Sequence, residues 1–124
     1  MCHFRTVTLK NGAHERKRLV IEFTDPNRAI IGEFLMSDSQ FVNKAIYRDV
    51  LAVLNGEKAH VTTSGNRCHL DIKPKQTVIT DLYADMFADV DTYPTCEIET
   101  HELKQLMDMW FKKLEEFKRD IAEE

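Results

Sequence analysis

Glycine is scarce in this 124-residue chain, and its four copies, Gly12, Gly32, Gly56 and Gly65, stand far apart. Their isolation excludes both the phosphate-cradling loop and the dinucleotide fingerprint, which need glycines a few residues apart. Long apolar runs are missing as well. No window approaches the roughly 18 uncharged apolar residues of a membrane helix, and Met1 to Leu9 lacks the apolar core of a secretory signal. The expectation is a cytoplasmic protein with no membrane partner. Cysteine is limited to Cys2, Cys68 and Cys96, an odd number at wide spacing, which argues against a disulfide framework and for reduced thiols. There is no CxxC or HxxxH, and the adjacent Cys68 and His69 point to opposite faces of a strand, so neither a metal site nor a cofactor is expected. No GxSxG frame marks a nucleophile, and the reading is a non-enzyme.

Charge of one sign is missing over a long stretch. From Gln76 to Leu103 there is no Lys or Arg, whereas Asp81, Asp85, Asp89, Asp91, Glu97, Glu99 and Glu102 all fall there. A segment Lys10 to Arg18 with Arg16, Lys17 and Arg18 is the small basic counterpart. With a net charge of -4 and scattered cations, the chain does not carry the basic stripe that direct nucleic-acid binding requires.

What is present is a strong helical period at the C-terminus. Leu103, Leu106, Met107, Trp110, Phe111, Leu114, Phe117 and Ile121 recur at steps of three and four between charged residues, the pattern of an amphipathic helix. Burying these side chains gains about 1.5 to 3 kcal/mol each. Ordering the backbone costs about 1 to 2 kcal/mol per residue, so the helix needs a sheet to lie on. Thr100 is its expected N-cap. Upstream, residues 3 to 9 and Leu19 to Phe23 read as strands separated by a polar loop, Lys10 to Arg18, with a turn at Asn11-Gly12. Ala29 to Met36 reads as a further strand, because Gly32 weakens a helix by about 1 kcal/mol. A helix follows from the capping oxygens of Ser37-Asp38-Ser39 to a stop at Asn55-Gly56.

Lys58 to Thr63 and Arg67 to Lys73 form a hairpin in which Cys68, Leu70 and Ile72 share the core face. Thr77 to Thr80 is one more strand. Asp81 to Thr95 is mostly loop with one helical turn, and Cys96 to Glu99 is a last short strand. The sum is an α+β fold in a single domain, residues 1–124. Its core is a small, mainly antiparallel sheet of about five strands with two main helices, the C-terminal one packed on the sheet.

The acidic stretch also carries tyrosines. Asp81, Tyr83, Asp85, Asp89, Asp91, Tyr93, Glu97 and Glu99 are the candidate partner-binding residues: carboxylates steer a basic partner and tyrosines serve as stiff anchors. A solvated face produces the same charge pattern without any partner. The order of features, from Ile31-Gly-Glu-Phe34 through a helix, Gly65-Asn-Arg-Cys-His-Leu-Asp-Ile72, Val78-Ile79, the acidic loop, Cys96-Glu-Ile-Glu-Thr100 and a helix bearing Trp110, resembles small bacterial immunity proteins. It looks like those encoded beside contact-dependent growth inhibition toxins and other polymorphic toxins, and its layout is similar to the YacL-like group. The resemblance implies binding and neutralising a cognate toxin domain. A nuclease whose basic cleft is occluded by carboxylates would suit the charge. The alternatives are a small adaptor or subunit of a larger assembly, and an enzyme built from dispersed residues such as a carboxylate with His69 or His101.

Overall fold

Strand β1 (Cys2–Asn11) and strand β2 (His14–Phe23) pair antiparallel in full register, from Cys2 opposite Phe23 to Asn11 opposite His14, in a computed structural model that describes residues 2–86 and 92–123. For 85, 86, 122 and 123 only the backbone is described. The two-residue turn begins at Gly12, whose φ of 64° suits the first position of a tight hairpin. Lys10 to Arg18 is thus no loop: Asn11-Gly12 is the turn expected, but the strands run through the charged residues on both sides of it. Both faces of this distal end meet solvent, so no alternation of apolar and polar residues announces it.

A turn of 3-10 helix, Pro26–Arg28, leads into helix α1 (Ala29–Ser37). The expected strand here is a helix. Ile30, Ile31, Gly32, Phe34 and Leu35 are all buried, because α1 lies between the hairpin and a second sheet. The partly open side of α1, Ala29, Glu33, Met36 and Ser37, carries a single charged residue, so the run shows little polar contrast from which a helical period could be read. Gly32 has a packing reason: a Cβ there would stand 3.2 Å from the Ile21 carbonyl oxygen.

Helix α2 (Phe41–Leu54) starts later than the capping oxygens suggested, and no side chain caps it. Val42, Asn43 and Lys44 have φ of 51°, 53° and 61°, a left-handed turn before the regular helix. The Arg48 guanidinium donates to the Asn43 carbonyl across it, at 2.6 Å. Asp38 and Ser39 are fully buried and occupied elsewhere.

The second sheet has the order β3 (Val61–Ser64), β4 (Cys68–Ile72), β5 (Gln76–Asp81), β6 (Cys96–Glu99), all antiparallel neighbours. A short helix α3 (Tyr83–Met86) follows β5. With the hairpin, the described residues hold six strands in two sheets and three longer helices, α1, α2 and α4 (Thr100–Glu123). The α+β class and the C-terminal helix packed on a sheet stand as read from the sequence. Cys68, Leu70, Ile72, Ile79, Cys96 and Ile98 form the sheet's inner face, and Leu103, Met107 and Trp110 of α4 join the same core. Trp110 stacks on Phe4 of the hairpin, rings 6.3 Å apart, so one side chain ties both sheets together.

Thr100 is the first residue of α4 and not a cap ahead of it. Its hydroxyl donates to the Lys73 carbonyl at 2.5 Å and lies 2.8 Å from the Thr77 hydroxyl, while its N–H reaches the Lys75 carbonyl. The helix start is thereby pinned to the β4–β5 turn. No described helix is long and apolar enough to cross a membrane.

Candidate functional site

Alternation along the strands leaves one face of the β3–β6 sheet turned away from the core. Registered pairing aligns Thr62, Asp71, Val78 and Glu97 in one row across it, Ser64, His69 and Thr80 in a second, and Gln76 and Glu99 in a third. Glu97 and Glu99 are exposed on the same face of β6, as strand periodicity requires. The His60 ring hydrogen-bonds the Asp71 carboxylate, and that bond holds Asp71 below the ordinary carboxylate range. Ser64 Oγ lies 2.7 Å from His69 Nδ1.

The sheet ends at β6. Beside it runs a polar groove of about 460 Å³ whose far wall is Asp25, Asn27 and Arg28, with Glu97, Glu99 and Glu102 on the near side. Four carboxylates, those of Asp25, Glu97, Glu99 and Glu102, thus surround a single guanidinium. Arg28 is itself paired with Glu102 and lies 5.6 Å from the centre of the Phe23 ring. This edge is an acidic surface.

Asp81 does something else. It is 2% exposed, and Arg67 grips it with Nε to Oδ1 at 2.8 Å and a terminal nitrogen to Oδ2 at 3.0 Å. The Tyr83 and Tyr93 amides donate to the same carboxylate, each at 3.0 Å. Burial pushes the Asp81 carboxyl up, but the guanidinium and the two amides outweigh it and hold the group below its ordinary value. Arg67 is raised in return, chiefly by its bond to Asp81. The two tyrosines close over the guanidinium, 4.1 Å from its carbon to the Tyr83 ring centre and 5.3 Å to that of Tyr93. Their ring faces meet Arg67 of this chain.

Of the eight candidate residues, five have side chains that the structure describes, and these five take three different positions. Glu97 and Glu99 are exposed on β6; Asp81 points inward; Tyr83 and Tyr93 are half-buried over Arg67. Asp89 and Asp91 lie outside the described residues, as does the Asp85 side chain. The partners of the acidic edge, Asp25 and Arg28, sit some 70 residues upstream, and no local pattern could have joined them to Glu97.

The sequence also concealed Asp38. Its carboxylate accepts the N–H groups of Asn66 at 3.0 Å, Arg67 at 3.1 Å and Cys68 at 2.7 Å, clamping the β3–β4 turn to the end of α1. Gly65 makes room for it, since a Cβ there would fall 2.5 Å from the Asp38 carboxyl carbon.

Among the described residues no group of three or more Cys, His, Asp and Glu is placed to hold a metal. Cys68 and Cys96 are buried, and burial pushes both thiols up, away from thiolate chemistry. The Ser64–His69 pair lies outside the lining of the β6 groove.

A Bacillus cereus protein called an immunity protein is 40% identical to this chain over 75 residues, which is 60% of each chain. The chain thus spans about 60% of the length of that relative. No family model matches it. No solved structure matches it either.

Proposed function

We propose that this chain is an immunity protein: it binds a cognate toxin domain in the cytoplasm of the producing cell and neutralises it. The observation that carries this is the 40% identity over 75 residues with the Bacillus cereus immunity protein. The mode of binding follows from charge. Glu97 and Glu99 on the open sheet face, with Asp25 and Glu102 across the groove, make a carboxylate edge suited to a basic surface. A nuclease active site is such a surface, and carboxylates seated where phosphates would lie occlude it without any catalysis by this chain. Tyr83 and Tyr93 support that edge indirectly, by holding Arg67 on Asp81 at the end of the neighbouring strand. Contact-dependent growth inhibition and related polymorphic systems are the setting in which such a pair would work.

The test is co-expression. Cells making the toxin domain encoded beside this gene should grow when this chain is present, and the two proteins should copurify as a 1:1 complex. Charge reversal by Glu97→Lys with Glu99→Lys should abolish rescue while leaving the melting temperature unchanged. Absence of both rescue and complex would overturn the immunity reading. Rescue unaffected by the double reversal would retain immunity and move the interface away from β6.

A further inference from the structure

A second groove, of about 600 Å³, lies between the distal end of the β1–β2 hairpin and the C-terminal half of α4. Its floor is apolar, made of Leu19, Met36, Trp110, Leu114 and Phe117. Leu9 and Ile121, 49% and 38% exposed, line it as well. Among the described residues its charged lining is of one sign: Arg16, Lys17 and Arg18 from β2 and Lys118 from α4. Among the described residues no carboxylate pairs with Arg16, Arg18 or Lys118. At about 1.5 Å per helical residue, Phe117 stands about 22 Å along α4 from Glu102, so this groove and the acidic edge are separate surfaces at opposite ends of one helix.

We propose that this groove is a docking site for an amphipathic helix of a partner protein, one that presents apolar side chains flanked by carboxylates. An apolar lining edged by cations suits helix-in-groove recognition, in which residues at i, i+3, i+4 and i+7 of the partner enter an apolar channel. With exposed Leu9 and Ile121 added to the five floor residues, the lining suits an occupant that brings several apolar side chains. Charge selects its chemistry. A second copy of this chain seated by two-fold symmetry would bring Arg16, Lys17, Arg18 and Lys118 against the same cations, whereas glutamates along the edges of a foreign helix would meet them favourably. The assignment stands independently of the acidic edge and of the immunity reading.

The chain has a single tryptophan, Trp110, and it lines the groove, so its emission reports occupancy. The probe is a synthetic helical peptide with leucine at i, i+3, i+4 and i+7 and glutamate on both flanks. It is compared with a version carrying lysine for glutamate and one with scrambled order. The glutamate peptide should shift the Trp110 emission and bind at least about tenfold more tightly than either control, a difference of about 1.4 kcal/mol.

The double variant Arg18→Glu with Lys118→Glu changes two exposed residues and should retain its melting temperature while switching preference to the lysine peptide. Leu9→Ser, also exposed, should weaken binding of the glutamate peptide without affecting folding. Equal binding of all three peptides, or binding of none, would overturn the proposal. So would self-association of the free chain that Arg18→Glu abolishes, which would assign the groove to a second copy. A shift produced by dodecanoate and by no peptide would assign it to a small anionic amphiphile and reject the helix.

Discussion

Asp38 shows how one carboxylate can organise a turn that is distant in sequence. Three amides converge on this buried carboxylate, that of Cys68 buried and those of Asn66 and Arg67 nearer the surface. Asp38→Ala leaves the buried Cys68 amide without its acceptor, a loss of about 1 to 3 kcal/mol, and should lower unfolding free energy by at least that amount in urea titrations. Gly65→Ala should destabilise by about 1 to 3 kcal/mol through overpacking against the same group. If both variants melted like the parent, the clamp would have no energetic role.

Asp81 makes a pH-dependent contribution of definite sign. Its folded value lies below the ordinary carboxylate range, and an unfolded Asp titrates near about 3.9. The contribution is therefore complete above about pH 4 and is lost as pH falls through the folded value. Asp81→Asn leaves Arg67 buried without its counter-charge and should cost about 3 to 5 kcal/mol at neutral pH. The variant should also show a flatter acid limb below about pH 4 than the parent. An unchanged acid limb would place the acid sensitivity elsewhere.

Two elements depart from ordinary behaviour in ways that can be measured. The first turn of α2 is left-handed at three non-glycine residues, an arrangement costing about 1 to 2 kcal/mol per residue. Glycine there relieves strain instead of weakening a helix, so Val42→Gly should be neutral or stabilising by about 1 kcal/mol. A loss of about 1 kcal/mol, as for glycine in a regular helix, would contradict the left-handed turn.

The β1–β2 hairpin is a two-stranded ribbon, marginal by itself, and it is anchored by Phe4 against Trp110 and by β2 against α1. Trp110→Ala should cost about 3 to 5 kcal/mol, and in hydrogen exchange the amides from Leu9 to Arg16 should open well before those of β4 and β5. The helical period of 103–121 was visible because α4 keeps a solvated side. The helix of 29–37 is hidden in the sequence because its partly open side, Ala29, Glu33, Met36 and Ser37, carries only one charged residue.

At the scale of the whole molecule the two grooves differ in the sign of their lining, mainly carboxylates at β6 and cations at the apolar groove. Binding at the acidic edge should weaken as salt rises, because rim charges act mainly on association. Affinity measured from low to physiological salt should fall for the parent and fall less steeply for a charge-neutral Glu97→Gln, Glu99→Gln variant.

The sequence by itself determined the α+β class, the inner face of β4, the exposed pair Glu97 and Glu99, and the amphipathic C-terminal helix. Each is a periodicity read against solvent, and periodicity survives in one dimension. Only the tertiary structure decided that Ala29 to Ser37 is a helix, that Asp81 faces Arg67, that Asp38 holds a turn at Asn66 to Cys68, and that Asp25 stands across from Glu97. Those outcomes depend on which buried surfaces and unsatisfied amides meet once the chain has folded, and residues 28 or 70 positions apart carry no local mark of that meeting.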